Sequence, residues 1–244
     1  MSQELVEIPL HDGKTSYSLL NRGGHDDFVI YLHGLASHTG RTLPYFLANY
    51  LSAKGFNVLR LGLYDSRPKA RRMRDCTLDT HIHDLNTAVD YVRAEYKPKH
   101  IHVIGHSYGG LTILLGKPDV TSAILLDPSH PDVNPFRKAK YVKELDAYLR
   151  SSSGLDYLIG PAMVKEFNAL EDSGFSTGYH TPSLIVTAEG SILAKTGPLY
   201  ARALEEQTEV EQVTIPGADH SFSTNEDQSS LAAHCLAWLK EHSA

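Results

Sequence analysis

A serine flanked by glycines stands between a predicted strand and a predicted helix in the middle of the chain. Residues 101–104 form a short apolar run, the pentapeptide Gly-His-Ser-Tyr-Gly occupies positions 105–109, and helix-favouring residues continue to position 115. A strand and a helix can converge so tightly only where glycines remove Cβ atoms that would collide. Such a turn strains the backbone of its central residue and exposes the side chain. The pattern therefore predicts a strand–turn–helix unit with Ser107 as a candidate nucleophile.

Strand-like segments and amphipathic helices alternate from residue 28 towards the end of the chain. This order predicts a mostly parallel central sheet with helices on both faces, joined by right-handed crossovers. Ahead of it, residues 5–10 and 16–20 predict an antiparallel hairpin. Ligands of such sheets bind beyond the carboxyl ends of the strands. The predicted strands of the sheet lie at residues 28–32, 56–61, 101–105, 123–126, 183–188 and 210–215.

An insertion interrupts this alternation over about residues 131–180. Its residues 135–172 carry apolar stripes at helical spacing, which predicts a small helical cap on a single domain that spans residues 1–244. Apolar side chains of the cap could line a substrate pocket, or could simply pack an extra pair of helices. The candidates for the pocket are Phe136, Tyr157, Met163 and Phe167.

Charge and cysteine content narrow the class of protein. The net charge of −6 argues against a general nucleic-acid binder. Cys76 and Cys235 are the two cysteines, and their wide separation argues against a disulfide framework and favours a reducing compartment. The first residues lack the features of a signal peptide, and no apolar stretch approaches the ~20 residues of a membrane-spanning helix. We therefore expect a soluble, cytoplasmic protein without a membrane span.

His220 is the candidate base, because a serine hydroxyl is a poor nucleophile until a base takes its proton. Among the 14 histidines, it lies in the loop at residues 216–222, between the last predicted strand and the last predicted helix. That loop meets the sheet edge at which Ser107 is expected. A nucleophile early in the chain and a histidine late in it is one of the known chain orders of serine triads. No histidine cluster has the spacing of a metal site, so we expect neither a metal nor an organic cofactor.

The chain resembles the α/β-hydrolase superfamily over nearly its full length. The resemblance rests on His33 and Gly34 after the first buried strand, on residues 105–110 around the serine, and on residues 217–222 around the histidine. Residues 55–61, followed by residues 77–78 and 84–85, are similar to small esterases of the feruloyl-esterase and monoacylglycerol-lipase type. The resemblance implies that the backbone N–H groups of Leu35 and Tyr108 form the oxyanion hole, and that His33 and Gly34 shape the substrate site.

The third member of the triad departs from the family pattern. The resemblance implies an acid about three residues after the strand at 183–188, where this chain has Ser191. A serine carries no charge that could stabilise an imidazolium. Asp127, at the end of the preceding strand, and Glu189, in the same loop as Ser191, could take that role. We favour Asp127, because a strand end is rigid and because some lipases carry their acid in a similar Leu-Asp-Pro context.

The expected activity is hydrolysis of a small-molecule carboxylic ester or thioester through an acyl-enzyme. Two alternatives stay open: a non-catalytic ligand-binding protein that kept the pocket, and a lyase or C–C hydrolase on the same scaffold. A basic loop at residues 67–74 could attract a carboxylate or phosphate of the substrate, or could be an ordinary solvated surface.

Overall fold

The computed structural model describes residues 3–152, 155–170 and 177–244. The strands of its main sheet are β1 (Gln3–Pro9), β2 (Thr15–Asn21), β3 (Phe28–Leu32), β4 (Asn57–Leu61), β5 (Ile101–His106), β6 (Ser122–Leu126), β10 (Ser183–Ala188) and β11 (Val210–Ile215). A separate small sheet consists of β7 (Lys140–Val142), β8 (Ala147–Ser152) and β9 (Leu155–Ile159). The helices are α1 (Thr42–Ser52), α2 (Leu78–Tyr96), α3 (Tyr108–Gly116), α4 (Pro161–Asn168), α5 (Gly197–Leu204) and α6 (Asn225–Glu241).

The main sheet is parallel except at its N-terminal edge. Over the described ranges its strand order is β1-β2-β4-β3-β5-β6-β10-β11, and only the pairs β1–β2 and β2–β4 are antiparallel. Strands β3, β4, β6 and β10 are buried along their whole length. Their largely apolar sequences suit strands covered on both faces, although β4 also buries Asn57 and Arg60. The carboxyl ends of these strands therefore meet at one edge.

Helices cover both faces of the sheet, and each face has its own apolar core. Leu47 of α1 and Trp238 of α6 lie in the core on one face, together with Val29 and Ile104. The other core contains residues of α2 and α3 packed on the alternate side chains of the same strands.

No helix in the described residues is both long and apolar enough to cross a bilayer.

The cap segment, residues 131–180, differs from the helical pair expected from its sequence. Its described residues form the antiparallel sheet of β7, β8 and β9 and one short helix, α4. Tyr141 and Tyr148, whose seven-residue spacing also fits one face of a helix, instead face each other across β7 and β8 with ring centroids 5.2 Å apart. Aromatic residues favour such cross-strand pairs, and Asp146 reverses the chain between the strands in a left-handed conformation with φ 43°.

The basic loop at residues 67–74 is largely neutralised by acidic neighbours. The Arg71 side chain is buried and forms ion pairs with Asp12, at 2.8 Å, and with the buried Asp84. Arg67 forms a 2.7 Å ion pair with Asp65, which lies just before the loop. Through these two pairs Arg71 anchors the loop to α2 and to the N-terminal hairpin. Removing one partner of a buried ion pair would strongly destabilise the fold, because the other charge would be left buried without a partner.

Candidate active site

Ser107 lies in the sharp turn between β5 and α3. Its backbone has φ 55° and ψ −116°, a conformation that residues with a side chain rarely adopt. A Cβ atom on Gly109 would lie 2.5 Å from the carbonyl oxygen of Leu32 in the neighbouring strand β3. Only glycine allows α3 to start so close to the sheet. The predicted strained turn is therefore present, and it holds the Ser107 hydroxyl at the edge where the parallel strands end.

His220 lies beside Ser107, in the loop between β11 and α6. Its Nε2 is 2.9 Å from the Ser107 Oγ, and its Nδ1 is 2.6 Å from Oδ2 of Asp127. The His220 side chain is 39% exposed, whereas the Asp127 side chain is 1% exposed. An imidazole between a buried carboxylate and a hydroxyl carries its proton on Nδ1, so Nε2 is the acceptor for the Ser107 hydroxyl.

The backbone at the end of β6 fixes the direction of the Asp127 carboxylate. Asp127 adopts φ 41°, and its N–H donates to the carbonyl of Val186 at 2.7 Å. Its Oδ1 accepts a hydrogen bond from the Ala188 N–H at 3.2 Å. Both contacts are to β10, so one carboxylate oxygen is held by the sheet while the other faces His220.

Glu189 has a different partner. Its Oε2 accepts a hydrogen bond from the Gly217 N–H at 2.8 Å, and the side chain is exposed. Ser191, at the position of the acid expected from the family pattern, accepts a hydrogen bond from the Leu193 N–H. Of the two candidate acids, Asp127 contacts His220, whereas Glu189 hydrogen-bonds to the backbone of the loop that contains Gly217.

The loop after β3 brings Gly34 and Leu35 against Ser107. A Cβ on Gly34 would lie 3.0 Å from the Ser107 Cβ and 3.5 Å from its Oγ, so the backbone passes as close as glycine permits. In the described part of the chain, neither the Leu35 nor the Tyr108 N–H donates a hydrogen bond to another backbone group. These two N–H groups are available for a substrate oxygen near Ser107.

His33 supports this loop from behind. Burial lowers the pKa of His33 to about 4, although the contact with the Gly34 carbonyl acts in the opposite direction. The imidazole is therefore neutral near pH 7, and its Nδ1 lies 3.0 Å from the Gly34 oxygen, to which it can donate. Its ring packs edge-on against Tyr64. His33 thus holds the backbone of Gly34 and does not line the cavities next to Ser107.

His106 is a neighbour of the nucleophile that sequence reasoning did not single out. Burial and the nearby His220 lower the pKa of His106 to about 4, so its ring is neutral near pH 7. Its Nε2 lies 2.7 Å from the backbone oxygen of His220, and the two rings are 4.9 Å apart. His106 therefore fixes the backbone of the histidine loop. Its place inside the pentapeptide around Ser107 is the signal that could have pointed to it.

Two cavities meet at Ser107. One has a volume of about 410 Å³ and the other of about 850 Å³, and both are lined by Leu35, Ser107, Tyr157 and His220. The Tyr157 hydroxyl accepts a hydrogen bond from Arg150 Nε at 2.9 Å, which holds the ring at the boundary between them. The smaller cavity also contacts Arg41 and the start of α1, and the larger one contacts the cap segment and the loop after β10.

Three of the residues expected to line the substrate pocket do not line these cavities. Phe136, Met163 and Phe167 are 5%, 1% and 2% exposed and belong to the core on the α2 side of the sheet. Met163 Sδ accepts a hydrogen bond from the Tyr108 hydroxyl at 2.8 Å, and the Phe167 ring stacks on the same tyrosine. Met163 and Phe167 are four residues apart and lie on the inward face of α4, where apolar side chains pack into the core.

Ser129 is a second hydroxyl beside the nucleophile, and sequence reasoning missed it. Its Oγ lies 3.3 Å from the Ser107 Oγ, and its N–H donates to the Ser107 carbonyl at 3.0 Å. Ser129 follows Asp127 by two residues, on the turn that begins at the end of β6. Its closeness in sequence to a candidate acid was the available signal.

Comparison with known proteins identifies the family. Residues 29–233 match the model of the alpha/beta hydrolase family, and the chain belongs to this family. It is similar to Est1E from Butyrivibrio proteoclasticus, solved with ferulic acid bound, at 18% identity and a TM-score of 0.78 over 97% of this chain and 98% of that one. It is also similar to the Pyrococcus furiosus esterase Pf2001, at 20% identity and a TM-score of 0.77 over 100% and 93% of the two chains.

A third similar structure is the esterase domain of a Rhodothermus marinus protein, at 16% identity and a TM-score of 0.75 over the whole of both chains. No curated protein sequence matches the chain significantly. At these identities the solved structures establish the fold and no more. The predicted α/β-hydrolase fold, with its mostly parallel central sheet, is confirmed.

Proposed function

We propose that this α/β hydrolase cleaves a carboxylic ester or thioester through an acyl-enzyme on Ser107. The observation that carries the proposal is the continuous chain of hydrogen bonds from Asp127 through His220 to Ser107, at 2.6 and 2.9 Å. This is the arrangement in which a serine hydroxyl becomes a nucleophile, because the base and its orienting carboxylate are already in contact.

In the first half of the reaction the Ser107 Oγ attacks the substrate carbonyl. His220 Nε2 takes the hydroxyl proton and then gives it to the leaving alcohol or thiol. Asp127 keeps Nδ1 protonated and stabilises the imidazolium that forms between these steps. In the second half His220 takes a proton from water, the resulting hydroxide attacks the acyl carbon, and the acid leaves as Ser107 regains its proton.

The negative charge on the carbonyl oxygen is assigned to the N–H groups of Leu35 and Tyr108. Loss of one such donor costs about 3–4 kcal/mol of transition-state stabilisation in comparable sites. Gly34 allows the substrate carbonyl to come close to the backbone, and neutral His33 holds the Gly34 carbonyl in place. His33 therefore acts on the shape of the hole and not on the substrate.

The two cavities favour an ester whose halves differ in size. The volumes of about 410 and 850 Å³ fall within the range of small-molecule sites. Tyr157 lies at their boundary, so we assign it to the substrate site along with Gly34. Est1E has been solved with ferulic acid, which makes aromatic acyl esters a reasonable first series to test. We further propose a reducing, cytoplasmic setting, since Cys76 and Cys235 are free, buried thiols.

A p-nitrophenyl ester series from acetate to octanoate, with a feruloyl ester added, tests the proposal. We expect turnover by the wild-type chain and loss of it in Ser107→Ala. A fluorophosphonate should label the wild-type chain once, on Ser107. A wild-type chain that turns over no ester would contradict the proposal, and so would an active Ser107→Ala variant. A β-diketone substrate included in the series tests the C–C hydrolase alternative.

The alternative of a non-catalytic binding protein loses its main support. That hypothesis rested on the serine at position 191, where the family pattern has an acid. With Asp127 in contact with His220, a serine at 191 no longer implies an incomplete triad.

A further inference from the structure

We propose that Ser129 donates a hydrogen bond to the Ser107 Oγ and stabilises the charge on that oxygen whenever its bond to the acyl group forms or breaks. This inference rests on the proposed function, because it assigns a role in the same site. The observation behind it is the 3.3 Å contact between the two hydroxyl oxygens, of a buried Ser129 and a half-buried Ser107.

The direction of this hydrogen bond follows from the neighbouring contacts. Nδ1 of His220 faces the Asp127 carboxylate, so Nε2 is unprotonated and accepts the only proton of the Ser107 hydroxyl. Ser107 then has no proton left for Ser129. The Ser129 hydroxyl must be the donor, and the Ser107 oxygen accepts through a remaining lone pair.

The backbone of Ser129 is held on both sides, which fixes the position of its Cβ next to Ser107. Its N–H donates to the Ser107 carbonyl at 3.0 Å, and its carbonyl accepts from the Tyr200 hydroxyl at 2.5 Å. Pro128 packs against Gly110 at the start of α3, where an added Cβ would lie 2.8 Å from the proline ring. With 6% of its surface exposed, Ser129 is a preorganised donor.

The Ser129 hydrogen bond matters most in two steps of the reaction, the formation and the breakdown of the acyl-enzyme. As Ser107 loses its proton to His220, negative charge grows on Oγ until the bond to the carbonyl carbon has formed. As the acyl-enzyme breaks down, the same charge returns on Oγ until His220 gives the proton back. A hydrogen bond to a charged oxygen is stronger than one to a neutral hydroxyl, so the Ser129 contact is worth more at these moments than in the resting enzyme.

The first test measures Ser107 directly, using the rate of its reaction with a fluorophosphonate. In this reaction the Oγ–P bond forms, fluoride leaves and the serine proton passes to His220, so no ester substrate is needed. We expect Ser129→Ala to slow it by about 10- to 100-fold, the range for one hydrogen bond to a charged oxygen. Ser129→Thr, which keeps a hydroxyl, should recover most of the rate.

Ser122→Ala is the matched control. Ser122 is another buried serine, at the start of β6, but its hydroxyl contacts His102 at 2.8 Å, away from the nucleophile. This variant should react with the fluorophosphonate at the wild-type rate. Thermal unfolding of all variants checks that a slower reaction does not come from unfolded protein.

Steady-state kinetics separate this role from a structural one. With a p-nitrophenyl ester, Ser129→Ala should lower kcat and leave KM and the acid limb of the pH–rate profile unchanged, because His220 and Asp127 keep their positions. A shift of the acid limb, or a rise in KM with kcat intact, would overturn the proposal. So would a Ser129→Ala variant that reacts with the fluorophosphonate at the wild-type rate.

Two further comparisons keep the outcome clear. If Ser129→Ala does not fold, Ser129→Cys against Ser129→Thr gives the same test, since a thiol is a weak donor and should be the slower of the two. If the wild-type chain is labelled on Ser107 but no ester is turned over, the ester assignment fails while the Ser129 test still stands. If Ser129→Ala reacts with the fluorophosphonate at the wild-type rate while the wild-type chain turns over esters, the role of Ser129 is refuted and the proposed function stands.

Discussion

Replacing Asp127 with asparagine should trap His220 in the wrong tautomer. The Asp127 Oδ1 accepts from the Ala188 N–H at 3.2 Å, and its Oδ2 accepts from His220 Nδ1 at 2.6 Å. An asparagine side chain has one oxygen and one NH₂ group. Its oxygen must face the Ala188 N–H, because two donors would otherwise oppose each other in a buried site. The NH₂ group then faces Nδ1, which has to become the acceptor, and the proton moves to Nε2.

A protonated Nε2 cannot take the proton of the Ser107 hydroxyl. A wrong tautomer of this kind lowers kcat by about 10⁴-fold in serine enzymes, equivalent to about 5 kcal/mol in the activation free energy. The expected loss is in kcat, because the substrate cavities do not include the Asp127 side chain. The measurement is kcat and KM for the best p-nitrophenyl ester of the series, with labelling by the fluorophosphonate as a second readout.

Glu189→Gln is the matched control. Glutamine keeps a carbonyl oxygen for the Gly217 N–H, which Glu189 now contacts at 2.8 Å, so activity should stay within about threefold of wild type, as for a surface change worth under 1 kcal/mol. If Asp127→Asn keeps more than a tenth of the wild-type kcat, the tautomer argument is refuted. If Glu189→Gln loses activity as deeply as Asp127→Asn, the acid has been assigned to the wrong residue.

Two other predictions concern the loop beside the nucleophile and the buried histidines. Gly34→Ala inserts a Cβ 3.0 Å from the Ser107 Cβ, so kcat/KM should fall by about 10²-fold, as for a displacement near 1 Å. The thermal unfolding midpoint should stay close to that of the wild type. An unchanged kcat/KM would contradict this prediction, because it would show that the loop moves without affecting the site. Burial lowers the pKa of His81 to about 3, so as pH falls below about 6.5 the unfolded chain takes up a proton that the folded chain does not, and stability falls by about 1.4 kcal/mol per pH unit. His81→Leu removes this term, and urea unfolding should show the variant gaining on wild type from pH 6.5 to 4; a pH-independent difference would contradict it.

The central part of the fold could be predicted from the sequence because its signals are local. Buried parallel strands need continuous apolar runs, and a serine turn between strand and helix needs glycine at fixed positions. Both requirements are visible in a few consecutive residues around Ser107. The position of His220 followed in the same way, since the loop between β11 and α6 ends at the edge where β5 ends.

The cap segment was harder to predict because its apolar spacing fits two structures. Tyr141 and Tyr148 are seven residues apart, which places them on one stripe of a helix, but the same two residues pair across a hairpin whose turn includes Asp146. Periodicity alone does not separate these structures over so short a segment. For Phe136, Met163 and Phe167 the sequence left pocket lining and packing open, because apolar spacing marks the buried face of an element and not what covers that face.

The choice between Asp127 and Glu189 depends on side-chain direction, which strand position alone does not determine. Both acids follow the carboxyl end of a parallel strand, so both lie near His220 in the sequence-based picture. The left-handed conformation of Asp127, with φ 41°, and its hydrogen bonds to β10 turn its carboxylate towards the histidine.

The turn after β6 places two side chains beside the Ser107–His220 pair. Asp127 and Ser129 lie on the same short turn, and both of their side chains approach the Ser107–His220 pair. In the loop after β10, Glu189 and Ser191 hydrogen-bond to Gly217 and Leu193 and not to His220, and Ile192 of this loop is 81% exposed and lines the larger cavity. Covering this aliphatic side chain removes apolar surface from water, so an apolar group of a ligand bound in the larger cavity gains binding free energy by contact with Ile192.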